Sequence, residues 1–361
     1  MQARHLALVA MLAISSGCRH ISVSIGSEAV CREDVRASFG LVERNYAGYA
    51  DKLAQLGAPA IERAQAEALR RVDAGESTSC AQILNDWLAV FDEGHMGVAE
   101  GRRSSRQARQ EPEFEIVSDD VAWLRVPSFE PEYRPALEGL MRRHRHEIVA
   151  RPELIIDVRG NGGGNGSTYR VLAELVYVKP VPMTGADVLA TPENTAAWKR
   201  MLPTLHADER RFTQRVIARM QQHPGQWVNF FPDGQVARDV VLPQPSRVAV
   251  LTDAGCGSAC ERFVLEARQS PKVRVVGSAT MGNLDYASLR PHPLPSGRML
   301  WLGTTRAHGL PESSVDAHGI APHIELDPAL FDGSTRHAAL GLLVHELRAS
   351  LGRLVTAGRA Q

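Results

Sequence analysis

The sequence predicts an α/β protein preceded by a helical N-terminal domain, and three observations carry that prediction. Short apolar runs such as Leu154-Ile155-Ile156 lack polar alternation and suit strands buried on both faces of a parallel sheet. From Phe114 onward such runs alternate with segments of helical periodicity, the order expected of an α/β core. Residues 31–95, by contrast, read as helix alone. There Ile83, Leu84, Trp87, Leu88 and Phe91 form one apolar stripe.

The chain has 361 residues, room for about two domains at ~150 residues each. Lys+Arg and Asp+Glu both number 41, so no net field draws in nucleic acid or anionic lipid. Arg4 and His5 precede an apolar stretch from Leu6 to Ile14 and then Ser15-Ser16-Gly17-Cys18. A basic start, a short apolar stretch and small residues make a secretory signal over residues 1–17, too short to span a membrane. The segment before Cys18 resembles a bacterial lipoprotein box, although Ser15 stands where such boxes usually carry Leu. The expectation is export to the periplasm or cell envelope with Cys18 lipidated, a plain signal peptide being the alternative. Loss of residues 1–17 would leave 40 basic against 41 acidic residues.

The N-terminal helical domain is expected over 18–110, ending its main helix near Asp92-Glu93-Gly94-His95, where Gly94 is a natural terminator. In an oxidising compartment a Cys31–Cys80 disulfide would staple this region. Cys256 and Cys260 could also pair, which spacing alone does not decide. No cysteine or histidine spacing matches a metal site. His144-Arg145-His146-Glu147 has the wrong order for His-Glu-x-x-His and reads as a polar helix face. Gly101 to Pro112 reads as a linker.

The core is expected over 111–330. Its strands are Val121–Val126, Leu154–Val158, Val248–Leu251, Val273–Val276, Met299–Arg306 and His323–Leu326. Helices are expected through Leu137–Ile148, Val171–Val176 and Ser258–Gln269, and a polar, Pro-punctuated helical insertion over about 183–243. An amphipathic helix, His337–Leu354, closes the chain within the segment 331–361.

Two segments carry chemistry. Asp157-Val158-Arg159-Gly160-Asn161-Gly162-Gly163-Gly164 follows a buried strand, and its glycines let backbone amides approach a ligand. It lacks the Gly-Lys-Ser/Thr of a phosphate loop, which leaves an oxyanion hole or a plain structural turn. Later, Gly255-Cys256-Gly257-Ser258-Ala259-Cys260-Glu261 ends a strand in a tight turn and opens a helix at Ser258. A hydroxyl there sits where free amides and the helix dipole favour negative charge. Read singly, Ser258 is equally an N-cap with Glu261 at the capping-box position.

Together the two segments resemble the C-terminal processing (tail-specific) peptidase family, in which an Asp-x-Arg-x-Asn-Gly-Gly-Gly turn precedes a Ser-Ala-Ser-Glu with the nucleophile. Ser258-Ala259-Cys260-Glu261 occupies the second motif. Gly277-Ser278-Ala279-Thr280-Met281-Gly282 is similar to the family's Gly-x-x-Thr-x-Gly, and Gly319-Ile320-Ala321-Pro322 resembles its Gly-Ile-x-Pro-Asp segment. The resemblance covers roughly residues 80–327 and implies a ClpP/crotonase-like ββα core. Asn283 stands where processing peptidases carry a lysine base, which excludes a Ser–Lys dyad. The tricorn-like and interphotoreceptor-retinoid-binding-like branches use an upstream histidine instead, and His95 occupies that place. There the resemblance implies Asp316, one methylene shorter than the branch's Glu, as the acid that orients the histidine. Gly94 stands where that branch has a serine, and the span from His95 to Val121 is too short for a PDZ module.

The resemblance thus implies acyl transfer with Ser258 as nucleophile, His95 as base and Asp316 orienting it, the amides of Ala259 and of Gly163 or Gly164 forming the oxyanion hole. No metal or cofactor is called for. The partner is a peptide or unfolded protein, with no nucleic acid, and the membrane is reached only through the lipid anchor. His95 and Asp316 also admit bland readings as a helix-end residue and a turn residue, and His308 and His318 compete for a ring role. Two other classes of function remain: an inert peptide- or ligand-binding relative, and a crotonase-type acyl-CoA enzyme, against which export argues.

Overall fold

The computed structural model describes residues 21–76, 78–99, 110–316 and 318–358. The leader, Cys18 and most of the linker lie outside the described residues.

A six-stranded sheet organises the molecule. Its order is Ile324–Glu325, Val273–Gly277, Arg247–Thr252, Glu153–Asp157, Val121–Arg125 and Glu113–Ile116, all parallel except the last, which is an antiparallel edge. Period-two alternation sorts each strand's apolar residues between two cores. Ala122, Leu124, Leu154, Ile156, Val248, Val250, Val273 and Val275 face one core, under helices Arg134–Val149, Gly166–Val176 and Ala259–Arg268. Val121, Trp123, Ile155, Ala249, Leu251 and Val276 face the other, beneath Phe331 and the C-terminal helix Arg336–Gly358. Burial on both faces is why these strands read as continuous apolar runs.

The N-terminal helices Ile21–Asn45, Tyr49–Leu56, Ala58–Asp73 and Cys80–Leu88 have no core of their own. They pack on a second, antiparallel sheet and share one apolar cluster with its Tyr286, Leu300 and Leu302. That sheet joins Met299–Ala307 to Tyr286–Pro293, Gly97–Ala99 and Ala186–Leu189, and the last pairs with Trp227–Phe231. Polar bonds reinforce the packing. The Tyr286 hydroxyl and Arg306 Nε both donate to Asp51 at 2.7 Å, and Cys31 is disulfide-bonded to Cys80.

Residues 183–243 differ from a purely helical insertion. Helices Pro192–Met201 and Ala207–Gln222 lie between strands Ala186–Leu189 and Trp227–Phe231, which extend the second sheet. A further pair, Val181–Met183 with Gly234–Val236, closes the base of the excursion. Among the described residues no helix is long and apolar enough to cross a membrane.

Candidate active site

Strand Glu153–Asp157 delivers the glycine turn. Asp157 is fully buried and accepts from Arg125 Nη1 at 3.0 Å, Arg159 Nε at 3.0 Å and Arg159 Nη2 at 2.8 Å. Two guanidinium groups on one carboxylate satisfy a buried charge that would otherwise be costly, and they set the direction in which the chain leaves the sheet. Asn161, also fully buried, donates from Nδ2 to the Val126 carbonyl at 3.0 Å.

Strand Arg247–Thr252 delivers Ser258 beside that turn, and the two loops are stitched together. Asp253 Oδ1 accepts the Gly160 N–H at 2.7 Å, and the Gly257 N–H donates to the Asn161 carbonyl at 3.0 Å. A Cβ on Gly163 would lie 2.8 Å from Ser258 Cβ and 2.9 Å from the Ala259 nitrogen, so only glycine permits this approach. Gly163 and Gly164 have φ of +101° and +134°, values that L side chains rarely adopt.

Ser258 itself has φ +54° and ψ −116°, far from the extended backbone usual at an N-cap. Its N–H has two acceptors, Glu261 Oε2 at 2.9 Å and Asn283 Oδ1 at 2.8 Å. Glu261 is more than a capping residue. Fully buried, it also accepts from Thr280 Oγ1 and the Gly282 N–H at 2.7 Å, and from the Asn283 N–H at 3.0 Å. It thereby locks the 280–283 loop against Ser258. Asn283, where the resemblance led one to expect a lysine, serves here as an acceptor for the main chain.

Of the expected oxyanion donors, the Gly163 N–H is taken by Asn161 Oδ1 at 3.0 Å. The amides of Gly164 and Ala259 have no hydrogen-bond partner among the described residues. Of the donors the sequence singled out, these two remain unpartnered.

His95 is buried at the end of a tight turn in which Asp92 takes the left-handed conformation. Its Nδ1 lies 3.0 Å from the Tyr286 carbonyl oxygen and 3.4 Å from Glu93 Oε1. A carbonyl can only accept, so Nδ1 carries the proton and Nε2 is the free basic nitrogen. Burial is the largest influence on the imidazole and lowers its pKa. Glu93, the Tyr286 carbonyl and Asp316 outweigh it, and the pKa is raised.

Asp316 is brought near His95 but does not hydrogen-bond it. Its Oδ1 accepts the N–H groups of Leu284 at 2.7 Å and Asp285 at 2.9 Å, and its Oδ2 is buried without a partner. Burial foremost, with Asp285 and Glu93 nearby, pushes its carboxyl up to about 7 against the pull of those amides. Glu93 Oε2 and the Tyr46 hydroxyl are likewise buried and unpartnered. The phenol is raised well above its ordinary value by burial and by Glu93. Glu93 and the Tyr286 carbonyl are the partners of His95 that the sequence did not disclose. Glu93 was in view two residues away, whereas a backbone carbonyl has no signature.

The His95 and Ser258 loops meet at Asn283. A Cβ on Gly94 would lie 3.3 Å from Asn283 Cβ and Nδ2, and Asn283 in turn holds the Ser258 amide. Among the described residues no hydrogen bond joins the Ser258 hydroxyl to the His95 ring. Of the competing histidines, His308 is paired with Asp233 and Asp187, and His318 is exposed. Among the described residues no group of three or more His, Cys, Asp or Glu is placed to hold a metal ion. A cavity of about 380 Å³ lined by Arg134, Arg142, Arg145, Arg170 and Arg238 includes none of the site residues.

The fold is similar to that of solved peptidases. A presumed peptidase from Parabacteroides merdae ATCC 43184 has a TM-score of 0.56 at 15% identity, the match covering 87% of this chain and 96% of that one. Mature CPAF complexed with lactacystin has a TM-score of 0.62 at 12% identity, covering 90% and 99%. No curated protein sequence matches the chain. Residues 120–326 match peptidase family S41.

Proposed function

The chain belongs to peptidase family S41, and from that premise we propose that it is an exported serine peptidase acting through an acyl-enzyme on Ser258. The observation that carries this reading is the meeting of the glycine turn with Ser258. Among the described residues the Gly164 and Ala259 amides are unpartnered, beside a part-buried serine whose backbone is held in a strained conformation. Such strain is characteristic of functional residues.

In the proposed reaction a peptide carbonyl enters with its oxygen toward the two free amides. His95 Nε2 accepts the Ser258 proton as Oγ attacks, and the amides stabilise the oxyanion. His95 then protonates the leaving amine, and water enters to release the acyl group. The Tyr286 carbonyl fixes the tautomer. Glu93 stabilises the imidazolium at close range, and Asp316 acts from further away. Substrates are peptides or unfolded proteins. Export rests on the leader and on the lipoprotein-like Cys18, with which two disulfides are compatible.

A fluorophosphonate probe tests the nucleophile. Labelling of the wild type, lost in Ser258→Ala, is the expected result, with His95→Ala lowering turnover by about four orders of magnitude. One observation favours a second reading, a peptide-binding relative without turnover: the Ser258 hydroxyl and His95 ring are not hydrogen-bonded. A folded wild type that binds peptides but resists the probe would establish that alternative.

A further inference from the structure

Cys256 and Cys260 are joined by a disulfide with Cα atoms 5.4 Å apart, and Ser258 is the middle residue of the five it encloses. Both cysteines are fully buried in the cluster that holds Val158, Phe263 and Val264. The ring is anchored on its inner side by more than sulfur. The Cys256 N–H donates to the Asp253 carbonyl at 3.0 Å, the Cys256 carbonyl accepts the Met281 N–H at 2.9 Å, and the Cys260 N–H donates to the Gly257 carbonyl at 2.9 Å. On the outer side only Ser258 and Ala259 are partly exposed.

Helix initiation requires none of this. An ordinary N-cap has extended backbone angles and one side-chain bond, whereas Ser258 is held at φ +54° and ψ −116°. A side-chain-bearing residue relaxes from such a conformation unless its surroundings over-determine it. The hydrogen bonds from Ser258 to Glu261 and Asn283 fix one end of the residue, and a covalent link between the positions two before and two after it fixes its whole path.

We propose that the Cys256–Cys260 disulfide is a positioning clasp for Ser258, and that the site becomes competent only once this bond has formed. The proposal rests on Ser258 being the nucleophile. The bond forms by thiol–disulfide exchange with a disulfide oxidant. One cysteine thiolate attacks the oxidant's disulfide, and the second displaces the oxidant from the mixed disulfide. Two electrons and two protons pass to the oxidant, which leaves as a dithiol. Because both sulfurs are buried, exchange precedes closure of the core. A dithiol reductant added to the folded protein therefore leaves activity intact, while the same reductant applied during refolding does not.

The test is Cys256→Ala/Cys260→Ala in the full chain, with Cys31→Ala/Cys80→Ala as control. The clasp variant is expected to keep its far-UV circular dichroism and KM. Its kcat and fluorophosphonate labelling rate should fall about a hundredfold, the scale of loss for an ångström-sized misplacement, and amides 256–261 should exchange faster. The control should label at the wild-type rate. Wild-type labelling and exchange in the clasp variant would overturn the proposal. Should the wild type itself resist the probe, the nucleophile reading fails, and amide exchange alone decides whether the clasp orders this segment. Should the clasp variant not fold, the Cys31→Ala/Cys80→Ala protein is refolded either in reductant or in a disulfide oxidant, and the folded fraction of each is labelled. Labelling that rises on oxidation supports the clasp, and equal labelling refutes it.

Discussion

Asn283 Oδ1 accepts the Ser258 backbone N–H at 2.8 Å. Asn283 thus acts on the main chain of the serine, whose N–H is already shared between two acceptors. Asn283→Ala leaves Glu261 Oε2 as the remaining acceptor, so no buried donor is orphaned. Loss of stability should be about 1 kcal/mol, with a fall of more than about tenfold in probe-labelling rate. Denaturant unfolding and labelling kinetics together check this, and a labelling rate unchanged from wild type would refute a positioning role.

Glu93 raises the His95 pKa from 3.4 Å away. A base must be unprotonated, so the acid limb of kcat/KM should lie above the midpoint of an unperturbed imidazole. Glu93→Gln removes the charge, lowers the His95 pKa and moves that limb to lower pH. A pH–rate profile of the two proteins decides it, and an unmoved limb assigns the raised pKa to other groups.

The Asp316 carboxyl titrates near 7 in the folded protein, up from 3.8. The folded state therefore binds a proton that the unfolded chain has released, and stability contributed by the neutral carboxyl is lost as pH rises from about 4 to about 7. Asp316→Asn has no such proton to lose. Its melting temperature relative to wild type should rise across that window. A flat difference between the two would show that Asp316 is ionised throughout.

Gly163→Ala should be damaging for two independent reasons. The new Cβ would fall 2.6 Å from the Gly257 carbonyl oxygen, and φ of +101° is strained for alanine. A cost of about 1–3 kcal/mol and loss of labelling are expected. Gly164→Ala would place its Cβ 2.2 Å from the Phe129 backbone, which cannot yield as a side chain does, and should cost more. Thermal unfolding of both variants orders them.

Glu261→Gln replaces two acceptor oxygens by one oxygen and one NH2 group, while all four partners of Glu261 are donors. In either orientation one backbone N–H, that of Gly282 or that of Asn283, is left facing the NH2 group, because the Thr280 hydroxyl can turn to accept and the Ser258 N–H keeps Asn283 Oδ1. At about 1–3 kcal/mol for each unsatisfied buried group, this should be the most destabilising single-atom change in the site. A variant as stable as wild type would mean that the 280–283 loop can repack.

The legible parts of the molecule were those whose physics is local. Leu154-Ile155-Ile156 and Val248-Ala249-Val250-Leu251 announce strands because both faces are covered. Asp157-Val158-Arg159 and Ser258-Ala259-Cys260-Glu261 stand out because a turn and a helix start need those residues side by side. The second sheet was only partly legible. Tyr286–Pro293 includes Arg290, Pro291 and His292, and Ala186–Leu189 is four residues long, so neither carries a strand pattern by itself. Their pairing with Met299–Ala307 comes from tertiary contact. The same holds for Glu261, whose capping position hid a four-bond hub, and for the orientation of His95, which depends on a carbonyl 191 positions away.

That separation bears on synthesis. A ribosome makes the histidine early, but the strand whose backbone sets its tautomer emerges after Ser258, and the N-terminal helices find their apolar partner only then. The proposed nucleophile therefore emerges before the carbonyl that orients the proposed base. On the roles proposed above, a chain folding in this order has no oriented base until Tyr286 is in place.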